Sequence, residues 1–190
     1  MSEFDRRGFL KMGANIAAGV AVGEVLFSVK GNVNRGVEEI THHPTGNASD
    51  EKTITESCKN SLTPQECAQN YQFSPKEKLD TLVGGPLVEE GLFRAVPSCI
   101  VSWREKSKNP MEDVVRGTGG FGLSRRELIG GVTSSIAFGA VHNLTTKGID
   151  TNTIPASQTF DGMVYWYLQR KFGIVANTIA HSFNNFRSIF

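Results

Sequence analysis

Cysteine is scarce in this chain: there are three in 190 residues, none in a Cys-x-x-Cys pair or a Cys/His spacing. That excludes a disulfide-built mini-protein and a structural zinc module. An excess of one charge is missing as well, because 20 Lys and Arg stand against 19 Asp and Glu, a net charge of +1. Proteins held to phosphates by electrostatics have a marked cationic surplus, so no nucleic-acid partner is expected. Mean hydropathy is −0.21, and each apolar segment is shorter or more polar than a free-standing membrane span of about 20 apolar residues. The sequence has no internal repeat and no low-complexity tract. Its length leaves room for one compact domain with appendages, and the apolar residues are strongly segregated along it.

Residues 1–30 have the three parts of an export signal: a basic start, an apolar run from Gly13 to Val29, and a polar exit at Lys30-Gly31-Asn32. Within the start, Arg6-Arg7-Gly8-Phe9-Leu10-Lys11 resembles the twin-arginine signal, which marks prokaryotic export of folded cargo. No small-x-small cleavage site follows Phe27, so the segment is expected to stay as a signal-anchor-like helix. Residues 31–78 are polar and carry turn formers at Pro44, Gly46, Asn47 and Pro64, as an extramembrane loop or linker would. Cys58 and Cys67 lie close enough in sequence to close a small loop, and they are disulfide candidates if the loop is exported. His42 and His43 read as ordinary loop residues.

Residues 79–190 carry most of the information. Apolar segments at 79–103, 127–144, 159–168 and 174–190 predict helices. Pro86 falls near the start or kink of the first, and Pro110, the Gly117-to-Gly122 run and Pro155 mark joints. One joint holds Arg104, Lys106, Lys108, Arg116, Arg125 and Arg126, the next only Lys147, and the one after it Arg170 and Lys171. This alternation follows the positive-inside rule. It places residues 31–78, with both of their cysteines, on the exported side of a prokaryotic cytoplasmic membrane. Gly131, Ser135 and Gly139 form a small-residue stripe of the kind that lets membrane helices approach closely. Trp103, Tyr165, Trp166 and Tyr167 read as interface anchors. The expectation is an all-α, membrane-embedded helical bundle surrounded by lipid.

Ionisable residues interrupt these apolar helices. Such residues are costly in a membrane segment and mark a functional site there. Glu90 and Arg94 have the spacing of an ion pair on one helix face. Glu89, turned about 100° away, is left unpaired and is the general-base candidate. His142 ends a second helix, and His181 shares a face of a third with Asn185. Polar groups delivered by three helices to one interior are hard to explain as packing, because burial is expensive unless they pair. Two other readings stand beside catalysis. In one the polar residues are hydrogen-bond glue in a silent membrane binding, immunity or scaffold protein; in the other the chain is an exported soluble helical domain with a metal site.

The three segments resemble the motifs of the CPBP family, the CAAX-processing and bacteriocin-processing intramembrane endopeptidases, also called the Abi family. Glu89, Glu90 and Arg94 match Glu-Glu-x-x-x-Arg, Phe138 and His142 match Phe-x-x-x-His, and His181 and Asn185 match His-x-x-x-Asn. The resemblance covers residues 79–190, the expected catalytic bundle, and implies an endopeptidase that processes a peptide or small-protein substrate at its C-terminal or leader portion. It casts Glu89 as general base, His142 as the group that orients water, and His181 with Asn185 as oxyanion stabilisers; Glu90, Arg94 and Phe138 support them. No cofactor is implied with certainty. Zinc held by Glu89, His142 and His181 is the alternative to a metal-free, glutamate-dependent site, and the sequence has no His-Glu-x-x-His. The chain departs from the family in having fewer and more polar helices, with Asp161 inside one of them.

Overall fold

The N-terminal apolar run continues into a helix longer than an anchor needs. In the computed structural model, which describes residues 6–42, 74–118, 122–145, 148–149 and 154–189, helix α1 is Arg6–Thr41. The polar stretch expected from residue 31 therefore begins with helix: Gly31 and Gly36 weaken the ladder only modestly, and no proline stands before Pro44. Helix α1 bends by 43° between Met12–Leu26 and Ser28–Thr41. At the bend Ser28 Oγ donates to the Val25 carbonyl at 2.8 Å, a side-chain bond that bends helices by drawing on a ladder acceptor. His43, Cys58 and Cys67 lie outside the described residues.

The first expected helix is an uneven run. It comprises α2 (Pro75–Leu79), a π-turn (Asp80–Gly84), α3 (Gly85–Glu90), a second π-turn (Gly91–Ala95) and α4 (Val96–Arg104). Ser74 and Glu77 open it with a reciprocal capping box. Pro86 and Pro97 each stand just beyond a π-turn. A proline has no N–H for the carbonyl one turn back, and the wider turn accommodates the break in the ladder. Carbonyls of this run bond across the bundle. Thr81 O, the one freed by Pro86, accepts Asn185 Nδ2 at 2.9 Å, and Phe93 O, in the second π-turn, accepts Ser134 Oγ.

A helix not expected from the sequence, α5 (Pro110–Arg116), occupies the joint that follows, because Pro110 takes the first helical turn where a missing N–H does no harm. Then come α6 (Arg125–His142), a two-residue antiparallel ladder of β1 (Leu144–Thr145) and β2 (Gly148–Ile149), α7 (Ala156–Phe172) and α8 (Ile174–Ile189). Helix α7 outruns the expected 159–168 at both ends. Arg170 and Lys171 consequently lie buried in a helix rather than in a joint. Gly173 ends α7 with φ 86°, a conformation that favours glycine.

Small residues set the two closest seams. On α6, a Cβ added to Gly131 would meet Trp166 Cδ1 at 2.6 Å, and Ser135 backs onto Gly162, so the small-residue stripe is where α6 lies on α7. On α1, a Cβ at Gly19 would stand 2.5 Å from Ala176 O, and one at Gly23 would stand 2.7 Å from Ala180 O. This Gly-x-x-x-Gly face brings the leader-like helix against α8 at closest backbone approach. Asn15 Nδ2 donates to Phe172 O at 2.7 Å, serving a carbonyl at the end of α7, and Leu26 packs with Tyr165, Leu168 and Ala180. The leader-like helix is thus a wall of the bundle.

The polarity of the bundle is inverted. Along residues 79–103, Leu79, Val83, Leu87, Leu92, Val96, Ile100 and Trp103 face outward, while Glu90, Arg94, Ser98 and Ser102 are buried. Leu128, Ile129, Val132 and Ile136 of α6 also face outward, over buried Ser134 and Ser135. Of the expected interface aromatics, Trp103 and Tyr167 are exposed, but Tyr165 and Trp166 are each only 1% exposed and belong to the core. Among the described residues no single helix is long and apolar enough to cross a membrane; the two halves of α1 pass that test only together.

Candidate active site

Glu90, at the C-terminal end of α3, is the hub. Its Oε1 lies 2.8 Å from His181 Nδ1, its Oε2 accepts from Asn177 Nδ2, and Arg94 Nε stands 3.5 Å from that same Oε2 with both side chains fully buried. Asn177 and His181, four residues apart on α8, reach Glu90 together because they share a helix face. A carboxylate only accepts, so this pairing assigns the imidazole proton to Nδ1. Nε2 faces Glu89 Oε2, 3.6 Å away. Glu89 is half-buried, and that oxygen has no hydrogen-bond partner among the described residues.

Arg94 comes from the second π-turn into an aromatic cage. Its guanidinium carbon lies 4.1 Å from the Phe138 centroid, 5.7 Å from Tyr165 and 6.0 Å from Phe93, distances at which a ring face attracts a cation. Among the described residues Nε, Nη1 and Nη2 find no hydrogen-bond acceptor, and Asp161 Oδ1 and Asn177 Oδ1 find no donor. Buried polar atoms are seldom left so. Here they crowd around one pair of carboxylates.

The sequence-predicted residues divide into two groups. Glu89, Glu90, Arg94 and His181 come together, with Glu89 nearer to His181 than the unpaired carboxylate foreseen. Phe138 is the floor they share, meeting His181 edge-on at 5.8 Å and His142 at 4.5 Å between ring centroids. His142 turns back on its own helix, its Nδ1 2.8 Å from Phe138 O. Asn185 reaches Thr81 O in the first π-turn. As for zinc, the described residues include no group of three or more His, Cys, Asp or Glu side chains arranged to hold a metal ion. Glu89, His142 and His181 do not form such a group; the bonds of His181 Nδ1 to Glu90 and of His142 Nδ1 to Phe138 O leave both Nε2 atoms available.

Four residues of the site were missed. Asn177 was legible, since it precedes His181 by the same four residues that separate His181 from Asn185. Asp161 was a lone acid in an apolar helix, the same signal that marked Glu89. Tyr165 and Asn184 carried none, because a buried tyrosine and one asparagine of a pair gain meaning only from what they touch. A second buried cluster also went unseen. Arg170 bonds Glu127 through Nε and Nη2, each at 2.8 Å, and Ser102 Oγ through Nη1 at 2.8 Å.

The class these observations define is an all-helical bundle with a buried carboxylate–histidine–arginine site. No family model, no curated protein and no solved structure matches the chain.

Proposed function

We propose that this protein is a membrane-embedded endopeptidase of the CPBP type, hydrolysing a peptide bond in a peptide or small protein with a water activated by Glu89. The observation that carries the reading is the meeting of Glu89, Glu90 and Arg94 with His181, residues some ninety positions apart, in a polar interior under an apolar exterior. Glu89 Oε2 and His181 Nε2 both accept hydrogen bonds. A water beside them donates to each, and its remaining lone pairs are free to attack. Oxygen adds to the substrate carbonyl carbon as the water proton passes to Glu89; the C–N bond then breaks and the leaving nitrogen takes that proton. Glu90 holds His181 in the required tautomer, as Asp does in Ser-His-Asp sites. Arg94 offsets the charge of the two carboxylates. Asn185 spends one amide hydrogen on Thr81 O, and its second is the donor for an oxyanion.

The outward apolar face supports a lipid environment, for which the inner polar face would be the site. The residues of the CPBP resemblance support the reaction class. A silent binding protein of the same fold is favoured by one observation, the engagement of His142 and Asn185 with backbone carbonyls.

The experiment is proteolysis of a peptide library by the full chain in nanodiscs, comparing the parent with Glu89→Gln and His181→Ala, each with and without a zinc chelator. Cleavage by the parent that both substitutions abolish is expected. Equal cleavage by Glu89→Gln and parent overturns the reading. Loss on chelation with recovery on zinc replaces the metal-free mechanism by a metal-dependent one.

A further inference from the structure

Behind His181 lies a polar chain that no motif contains. The imidazole stacks on the Tyr165 ring, with centroids 4.8 Å apart and planes inclined by 19°. Tyr165 is buried, and its hydroxyl accepts from Asn184 Nδ2 at 3.1 Å. The same Nδ2 donates to Asp161 Oδ2 at 3.1 Å. Asp161 and Tyr165 are four apart on α7, and His181 and Asn184 three apart on α8, so two helices are laced at two adjacent levels.

Each link removes one freedom from the next. A carboxylate accepts only, so Asp161 fixes which end of the Asn184 amide faces α7. The amide N–H fixes the Tyr165 hydroxyl. A phenol held at its tip by a hydrogen bond and along its length by burial has one ring plane left. That plane is the surface on which His181 lies.

The bond to Glu90 and the 3.6 Å approach to Glu89 place the imidazole nitrogens but not the tilt of the ring about the line joining them. The Tyr165 face sets that tilt, and Phe138, edge-on at 87°, closes the other side. Burying a carboxylate this deep is costly unless it is used. Asp161 is 5% exposed, and one of its oxygens has no donor among the described residues.

We propose that Asp161, Asn184 and Tyr165 form a positioning relay that holds the His181 imidazole in the plane from which Nε2 faces Glu89. The proposal rests on the peptidase reading for its kinetic consequence, and on geometry alone for its structural one. Asp161 and Tyr165 are positioning residues; neither touches the reacting atoms. A misplacement of the order of 1 Å at a reacting group lowers turnover by roughly a hundredfold, and a tilt of its plane acts in the same way.

The test uses the full chain in nanodiscs, labelled with ¹⁵N in the histidine rings, with His181 assigned by loss of its signals in His181→Gln. Tyr165→Phe keeps the stacking ring and removes the hydroxyl, and Asp161→Asn keeps the shape and removes the charge. In the parent, His181 should give two well-separated nitrogen shifts, those of a single tautomer. In both variants the two shifts should move toward each other, and kcat should fall by roughly ten- to a hundredfold with KM unchanged. Unchanged His181 shifts in both variants overturn the relay whatever the activity. If the parent cleaves nothing while the variants still move the His181 shifts, the peptidase reading fails and the relay stands.

Discussion

Arg170 and Arg94 are both buried guanidinium groups facing glutamate, but the bundle treats them in opposite ways. The three nitrogens of Arg170 are placed on Glu127 and Ser102 at 2.8 Å. Those of Arg94 find no hydrogen-bond acceptor among the described residues, and its carboxylate partner stands at 3.5 Å. A buried ion is tolerable when its hydrogen bonds are complete and expensive when they are not. The first arginine is therefore a brace that joins α4, α6 and α7. The second is kept at a cost to stability, which the proposed peptidase site would account for.

Removing each arginine is the strongest way to break that comparison. Arg170→Met leaves Glu127 without its buried partner and should cost about 3–5 kcal/mol, read by unfolding of the micelle-bound chain with dodecyl sulfate. Arg94→Met should cost markedly less, because Glu90 keeps His181 and Asn177, yet it should abolish cleavage. Equal losses of stability would mean that both arginines are braces.

The next effect concerns the exterior. Leu92 faces outward, 60% exposed, two residues from buried Arg94. In lipid, Leu92→Lys should oppose insertion by about 3 kcal/mol, measured in a membrane-insertion assay. If that face meets water, the substitution changes nothing, and the inverted polarity needs another explanation.

A finer comparison sets the Thr81 carbonyl, freed by Pro86, against the Phe93 carbonyl of the second π-turn. Asn185→Leu and Ser134→Ala each strand a carbonyl and should cost about 1–3 kcal/mol. In a Pro86→Ala background a backbone N–H becomes available to Thr81 O, so the cost of Asn185→Leu should shrink, while that of Ser134→Ala stays as it was. Double-mutant cycles read the coupling, expected at about 1 kcal/mol. Absence of coupling would return Asn185 to the oxyanion role implied by the family resemblance.

These contrasts also mark how far sequence reading reached. Helices appeared where apolar segments were strong, and Glu90, Arg94 and His181 were legible because four-residue spacing and the cost of charge in an apolar helix are local signals. The π-turns were not, since Pro86 reads equally as a helix start or a kink until the partners of Thr81 and Phe93 are known. Arg170 was read as a joint residue because its partner, Glu127, lies 43 positions away. The Gly-x-x-x-Gly of α1 was hidden within an apparent export signal, whose composition is satisfied by glycine and alanine whether or not another helix packs on them. Asn185 was assigned a site role because a shared helix face fixes direction, whereas a hydrogen bond to a backbone carbonyl needs the fold.

The smallest effect is expected where burial is absent. Arg116 and Glu112 on α5 make a 2.8 Å ion pair in the same i,i+4 arrangement as Arg94 and Glu90, with side chains 67% and 46% exposed. Water and salt screen such a pair, and the entropy lost in holding two long side chains together offsets most of the attraction. Arg116→Gln should therefore cost about 0.3–0.5 kcal/mol at low salt and nothing measurable at 1 M salt, in the same unfolding titration. A loss as large as that of Arg170→Met would mean that α5 is held in the bundle by charge rather than by Val114, whose carbonyl receives Gln169 Nε2 at 2.7 Å and whose side chain is buried. Geometry alone does not separate these ion pairs. What separates them is the medium around each: water for the first, a complete set of hydrogen bonds for Arg170, and aromatic faces for Arg94.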